Sequence, residues 1–301
     1  MDEAPVKVVL SIEQMAGLCT KWISQDMDFF LALTGIKGGG KTTMSLQLAR
    51  HYWRQKFGGE MDDFKIADHI VFSHEDFKRL TDTLPDGSPI IIDEACNLMM
   101  GEDWNVGASR ELKKDVITLR TRHFLLIGNM PDLWWFDRKY RDNMITYWAH
   151  VYNRGYCALF APSLVPGTED RWFREYFKKL RRHWTYFTDR HQIEKDLLKH
   201  PGFQDFVTFV NLPKDIYDKY LIVRADSLAK RKESTIDNGR MSRNTARKWV
   251  HIVAGSVAGV KAGELAVKYD ISLADVYNVL REANLTIEEK KVMQDNRKKK
   301  A

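Results

Sequence analysis

Cysteine is scarce in this 301-residue chain, and the three present, Cys19, Cys96 and Cys157, are far apart and odd in number. That spacing excludes a disulfide framework or a cysteine zinc site and predicts small apolar core residues. Long hydrophobic runs are also missing: charge interrupts every apolar stretch well short of a membrane span. The first residues carry Asp2 and Glu3 where a secretory signal has basic residues, which predicts a cytoplasmic protein. No internal repeat is visible, and no acidic cluster suited to a nuclease follows the first half. With 44% hydrophobic residues the chain can bury a full core. Its net charge of +6 and pI of about 9.0 suit an anionic partner. Basic residues concentrate at 171–190, at 230–248 and at Lys298–Lys300.

Apolar runs and helical spacings alternate along the first half. Phe29–Thr34, Ile66–Ser73, Pro89–Ile92 and Phe124–Gly128 read as strands, and Thr42–Lys56, His74–Thr83 and Arg110–Arg120 as helices. Ile145–Tyr152 and Gly155–Ala161 read as a hairpin. This alternation predicts an α/β fold with a mostly parallel sheet covered on both faces.

Between the first strand and helix stands Gly35-Ile36-Lys37-Gly38-Gly39-Gly40-Lys41-Thr42, followed by Thr43. It fits the phosphate-loop pattern G-x-x-x-x-G-K-S/T in the strand–loop–helix context that pattern requires. Glycines let backbone N–H groups wrap phosphates, and the helix N-terminus adds the positive end of its dipole. The pattern predicts that Lys41 reaches the β- and γ-phosphates of ATP, that the Thr42 hydroxyl coordinates Mg2+, and that Thr43 touches the α-phosphate.

The strand Pro89–Ile92 ends in Asp93-Glu94, so two successive carboxylates diverge at a strand end. Asp93 is placed to hold the metal through its water shell, and Glu94 to polarise the attacking water. The next strand ends in Asn129, a candidate sensor of the γ-phosphate. For a cation acting across a subunit boundary the candidates are Arg110, Arg120, Arg122 and Arg141, with Arg122 preferred and Arg141 as its alternative.

With these motifs the stretch 29–161 resembles the additional-strand, catalytic-glutamate P-loop ATPases. Within them it is similar to the FtsK/HerA group of DNA-pumping ATPases, including the zonular occludens toxin-like proteins of filamentous phages. Asp93-Glu94-Ala95, Arg122-His123, Asn129, Asp137 and Arg141 occupy that group's places. The departure is Asn129, where the group usually has glutamine and AAA+ proteins usually have asparagine. The resemblance implies a three-layer P-loop NTPase whose sensor strand lies between the phosphate-loop and acidic strands. It also implies a homo-oligomeric ring with ATP bound between subunits.

Four segments are expected: an ATPase core over 1–165, a basic-aromatic extension over 166–230, a linker over 231–248 and a helical domain over 249–301. In the last, 264–280 resembles a helix-turn-helix, with Leu265, Tyr269, Ile271, Val276 and Val279 as its small core and Ser272 as a cap. Its second helix would present Asp275, Asn278, Arg281 and Glu282, while Arg240, Arg243, Arg247 and Lys248 lie upstream for phosphates. A helical hairpin for protein contact stays open beside the DNA reading. The functional expectation is an ATP-driven DNA translocase or packaging ATPase of a virus or mobile element, acting on double-stranded DNA with viral or plasmid partner proteins. An AAA+-like loader of a DNA-bound partner and an ATP-controlled DNA-binding regulator are the other two readings.

Overall fold

A computed structural model describes residues 9–93, 95–99, 119–165, 168–185, 188–235, 243–269 and 271–282. Two compact units divide at Leu212/Pro213. In the first, the strands are β1 (Val9–Ser11), β2 (Phe29–Gly35), β3 (Ile70–Val71), β4 (Pro89–Ile92), β5 (Leu125–Asn129), β6 (Tyr147–Asn153), β7 (Tyr156–Phe160) and β8 (Phe203–Thr208). The helices are α1 (Ile12–Ile23), α2 (Lys41–Phe57), α3 (His74–Thr83), α4 (Cys96–Met99), α5 (Arg138–Asn143), α6 (Arg174–Arg181) and α7 (Arg190–Leu197).

All eight strands form one sheet in the order β1-β8-β7-β6-β2-β5-β4-β3. Only the β6–β7 and β7–β8 pairs are antiparallel; the other pairs are parallel. The architecture is therefore α/β with a mixed, mostly parallel sheet. β2, β4 and β5 are buried along their whole length, as expected of strands covered on both faces. The strand ending in Asn129, β5, lies between β2 and β4, which ends before Asp93.

Local chemistry explains several boundaries. Ser11 caps α1 in a capping box, its hydroxyl accepting from Gln14 N while Gln14 Oε1 accepts from Ser11 N at 2.8 Å. Ser73 caps α3 in the same way, by accepting from Asp76 N. Residues 66–73, expected as one strand, instead form a short 3-10 turn at Ile66–Asp68 and a two-residue strand. There the His69 ring Nδ1 pairs with the Pro89 carbonyl at 2.8 Å and stacks on Phe64. The expected helix over 110–120 falls almost wholly outside the described residues.

α1 and α2 pack on one face of the sheet. The other face carries a cluster built from alternate strand residues, Phe30, Leu126, Trp148 and Phe160, with Phe77, Tyr140, Phe177 and Leu197 from α3, α5, α6 and α7. Of the basic-aromatic stretch expected over 166–230, the part up to residue 212 belongs to the first unit, where it supplies α6, α7 and the sheet strand β8. Cys19 and Cys157 are both buried and free, and burial pushes both thiols up.

The second unit contains α8 (Lys214–Thr235), α9 (Arg243–Val257), α10 (Ala262–Tyr269) and α11 (Leu273–Glu282). The division therefore precedes the expected linker, and helix runs through Thr235. α8 buries Ile216, Tyr220, Leu221, Ala225 and Ala229, a stripe of helical period. Of the five core positions expected near the C-terminus, Leu265, Val276 and Val279 are buried and Tyr269 and Ile271 half-buried. Ser272 Oγ accepts from Asp275 N at 3.1 Å at the head of α11. Gly255 of α9 lies against Leu265, where an added Cβ would come within 2.6 Å of Cδ2. No described helix is long and apolar enough to cross a membrane.

Trp148 is fully buried between Phe160 and Phe177, each 4.6 Å away by ring centroid, and its Nε1 donates to Thr34 Oγ1 at 2.7 Å. Trp148→Ala is expected to cost about 3–5 kcal/mol of stability in urea unfolding, the range for large core truncations. A loss under about 1 kcal/mol would show that this face is not the core.

Candidate functional site

The parallel register brings the ends of β2, β5 and β4 to one edge. Leu33 lies opposite Asn129, and Ile92 opposite Gly128. Backbone bonds lock the corners: Met130 N donates to Leu33 O at 2.9 Å, and Ala95 N to Asn129 O at 2.9 Å. β2 then turns into the glycine loop.

Gly35 closes β2 with φ 141° against β6, where a Cβ would come within 2.4 Å of the Val151 carbonyl oxygen. Gly40 ends the loop at φ 100°, beside the Phe209 ring, which an added Cβ would meet at 3.1 Å. Both positions admit glycine alone, one by contact with backbone and both by φ. α2 starts at Lys41 with no side-chain cap, so its first N–H groups face the loop.

Lys41 arches back over this loop. Its Nζ donates to Gly35 O at 2.8 Å and Ile36 O at 3.0 Å. Burial pushes its pKa down, while the negative charge of Asp93 acts in the opposite direction. Among the described residues the hydrogen bonds of Lys41 go to neutral carbonyls, which a partly buried ammonium is set to exchange for an anion.

Next to it runs a hydrogen-bonded chain of four side chains. Thr42 Oγ1 donates to Asp93 Oδ1 at 3.3 Å; Asn129 Nδ2 donates to the same oxygen at 2.9 Å and to Ser45 Oγ at 3.1 Å. Ser45 in turn donates to the Lys41 and Thr42 carbonyls. Asp93, Asn129 and Ser45 are buried. Asn129 Oδ1, also buried, has no hydrogen-bond partner among the described residues. Buried amide oxygens are rarely left so outside sites that take a ligand or water.

No group of three or more His, Cys, Asp or Glu able to hold a metal occurs among the described residues. The donor set suits a hard cation of another kind. Mg2+ takes one or two carboxylates, a hydroxyl and phosphate oxygens rather than an all-protein cage, and Thr42 and Asp93 supply that much.

Thus Gly35, Ile36, Lys37, Gly38, Gly39, Gly40, Lys41, Thr42, Thr43, Asp93 and Asn129 gather at one edge, with Ile36 and Lys37 exposed. Glu94 and Arg110 lie outside the described residues, as does the side chain of Arg120. Arg122 and Arg141 are not brought to the loop. Arg122 sits at the opposite end of β5, its Nε 2.6 Å from Asp86 Oδ1, its other nitrogens donating to the Thr81 and Leu84 carbonyls, and its guanidinium 4.9 Å from the Phe124 ring. Arg141 is engaged by Asp142, Nε to Oδ1 at 3.1 Å. Both guanidinia are therefore held within their own chain.

Sequence reasoning missed Ser45, Phe209, Thr34 and His150. Ser45 follows Thr42 by three residues on α2, a spacing that puts both on one helix face and was available as a signal. Thr34 and His150 are register partners on β2 and β6, with Thr34 Oγ1 2.9 Å from His150 Nδ1. Trp148 donates to that same hydroxyl, which joins the three side chains. Burial, aided by the positive charges of Arg181 and Lys41, pushes the His150 pKa down to about 3.

Comparison with known proteins finds no matching family model, no matching curated protein and no matching solved structure.

His150 gives the site a pH signature. Its ordinary pKa is 6.5, so below that value the unfolded chain binds a proton that the native chain refuses until about pH 3. The stability held above pH 6.5 is therefore lost progressively as pH falls from 6.5 toward 3. One such proton gives a slope of about 1.4 kcal/mol per pH unit. In urea unfolding between pH 5 and 6.5, His150→Gln is expected to flatten the curve by up to that slope; an unchanged slope would show that His150 does not resist protonation.

Proposed function

We propose that this chain is an ATP-hydrolysing DNA translocase or packaging ATPase. The observation that carries the reading is the chain Thr42–Asp93–Asn129–Ser45 beside the glycine loop, on a sheet in which β5 separates β2 from β4. Phosphate loop, metal carboxylate and polar strand end are the parts that phosphoryl transfer to water requires, because its catalysis is positioning and charge stabilisation.

In this reading the loop amides and the α2 N-terminus hold the phosphates, and Lys41 moves from the Gly35 and Ile36 carbonyls to the β- and γ-oxygens. Thr42 and Asp93 hold Mg2+, which neutralises phosphate charge. Asn129 fixes Asp93 through Nδ2 and turns its remaining oxygen toward the attacking water. Glu94, next in sequence to Asp93, takes that water's proton. A homo-oligomeric ring, double-stranded DNA as the track and a viral or mobile-element setting come from the resemblance and the basic charge. The helices of 249–282 as a DNA-binding module belong to the same proposal.

Asparagine rather than glutamine at 129 favours a second reading, an AAA+-like ATPase that loads a DNA-bound partner. The two differ in whether duplex DNA itself stimulates turnover.

Purified protein, sized by light scattering, is to be assayed for ATP hydrolysis with and without duplex. Stimulation by duplex is expected for the translocase. Lys41→Ala is expected to abolish nucleotide binding or turnover without unfolding, and unchanged turnover in that variant would overturn the reading. Glu94→Gln is expected to bind ATP yet hydrolyse it about 10²–10⁴-fold more slowly, the usual loss for a positioned general base. Full activity in Glu94→Gln would assign the water to another group.

A further inference from the structure

Two stretches outside the nucleotide site meet on the surface of the first unit. One is the turn Leu133–Trp135, four residues beyond Asn129. The other is α6 with Arg182 after it. Three contacts join them: the Arg174 guanidinium lies 5.7 Å from the Trp134 ring, the Trp134 ring lies 5.9 Å from Phe177, and Arg181 Nη1 is 3.4 Å from Asp132 Oδ2.

The helix faces two ways. Phe177 is 1% exposed and anchors α6 in the core, whereas Arg174, Lys178, Lys179, Arg181 and Arg182 are all exposed. Residues 174–182 contain five cations and one carboxylate, Glu175, which Lys178 holds at 2.7 Å. Arg174 and Arg181 hold the turn and Lys178 pairs with Glu175, but the contacts among the described residues give no packing role to Lys179 and Arg182.

Trp135 is the second unexplained feature. Its neighbours Leu133 and Phe136 are buried and Trp134 packs on α6, but Trp135 keeps 48% of its surface exposed. An indole left in water on a turn that packs against a cationic helix is an available stacking surface.

We propose that Trp135 and the exposed cations of α6 form a binding face for single-stranded nucleic acid, in which the cations hold phosphates and Trp135 stacks on an unpaired base. Charge selects a polyanion, and the exposed ring selects one with accessible π faces. A duplex hides its base faces within the stack. An anionic membrane surface would need an apolar helix face to insert, and the apolar side of α6 is buried in the core. The face also adjoins the nucleotide site: Gly35 N lies 3.4 Å from the Pro131 carbonyl, on the segment leading from Asn129 to the tryptophans. The proposal shares its partner class with the proposed function but uses none of the same residues.

The test uses the full chain without nucleotide, so that failure of the ATPase reading leaves it intact. Binding is read by fluorescence anisotropy of a labelled oligothymidylate of about 20 nucleotides, longer than a typical single binding site. Trp135→Ala is expected to weaken binding about 5- to 150-fold, the equivalent of about 1–3 kcal/mol per stacked base, with Trp135→Phe restoring most of it. Replacing Lys178, Lys179 and Arg182 together by Gln is expected to lower the slope of log affinity against log salt by about 2, at about 0.7 per phosphate contact on a single strand. Thermal unfolding checks that each variant is folded. Absence of oligothymidylate binding by the wild-type chain at low salt would overturn the proposal, as would both folded variants binding as wild type does. Tighter binding to duplex, with Trp135→Ala without effect, would also overturn it.

Discussion

Asn129 donates to a carboxylate oxygen of Asp93 that also accepts from Thr42, and the geometry of the edge beside the glycine loop depends on that oxygen. A buried carboxylate is tolerable only while donors surround it, because an uncompensated charge in the interior costs several kcal/mol. The bond joins the tips of β4 and β5 to the first turn of α2. The fixed register of three parallel strands is thereby carried into the side chains that would meet a phosphate. Ser45, accepting the second Asn129 proton, ties the same amide to the helix behind the loop.

A second buried network supports the other side of the loop. Trp148, Thr34 and His150 link β6 to the last residues of β2, directly beneath the point where Gly35 turns the chain. The neutral histidine is a consequence of position. Fully enclosed and near two cations, it cannot hold a proton without losing stability. α6 closes this network from outside, since Phe177 contacts both Trp148 and His150 while its cations stay in water. One short helix thus belongs at once to the core, to the underside of the loop and to the surface.

Legibility from sequence differed by range. The loop from Gly35 to Thr42 could be read directly between its strand and helix, because its glycines are contiguous and act locally. α2 and α3 were visible because their apolar spacing is local too. β8 was missed: Phe206-Val207-Thr208 are β-favouring, but the strand has only two buried residues and lies in a basic-aromatic stretch. β1 is three residues long and gains its place by pairing Val9, Leu10 and Ser11 with Phe206, Val207 and Thr208. Phe209 beside Gly40 and His150 beside Thr34 are contacts between residues more than a hundred positions apart, for which a single sequence carries no signal. Arg122 illustrates the reverse, an arginine in a suggestive motif whose donors are occupied by Asp86 and two carbonyls.

What the sequence determined by itself was therefore the local chemistry: a glycine loop between a strand and a helix, two carboxylates at one strand end and an asparagine at another. Those features follow from backbone stereochemistry and periodicity, which act over a few residues. The resemblance implied that β5 lies between β2 and β4, and tertiary structure brought Asn129 onto Asp93. Tertiary structure also decided which arginines are engaged and that the cations of α6 flank a turn bearing an exposed tryptophan. The physical reason is that strand order and packing are set by burial summed over the whole sheet. No single residue type encodes that sum.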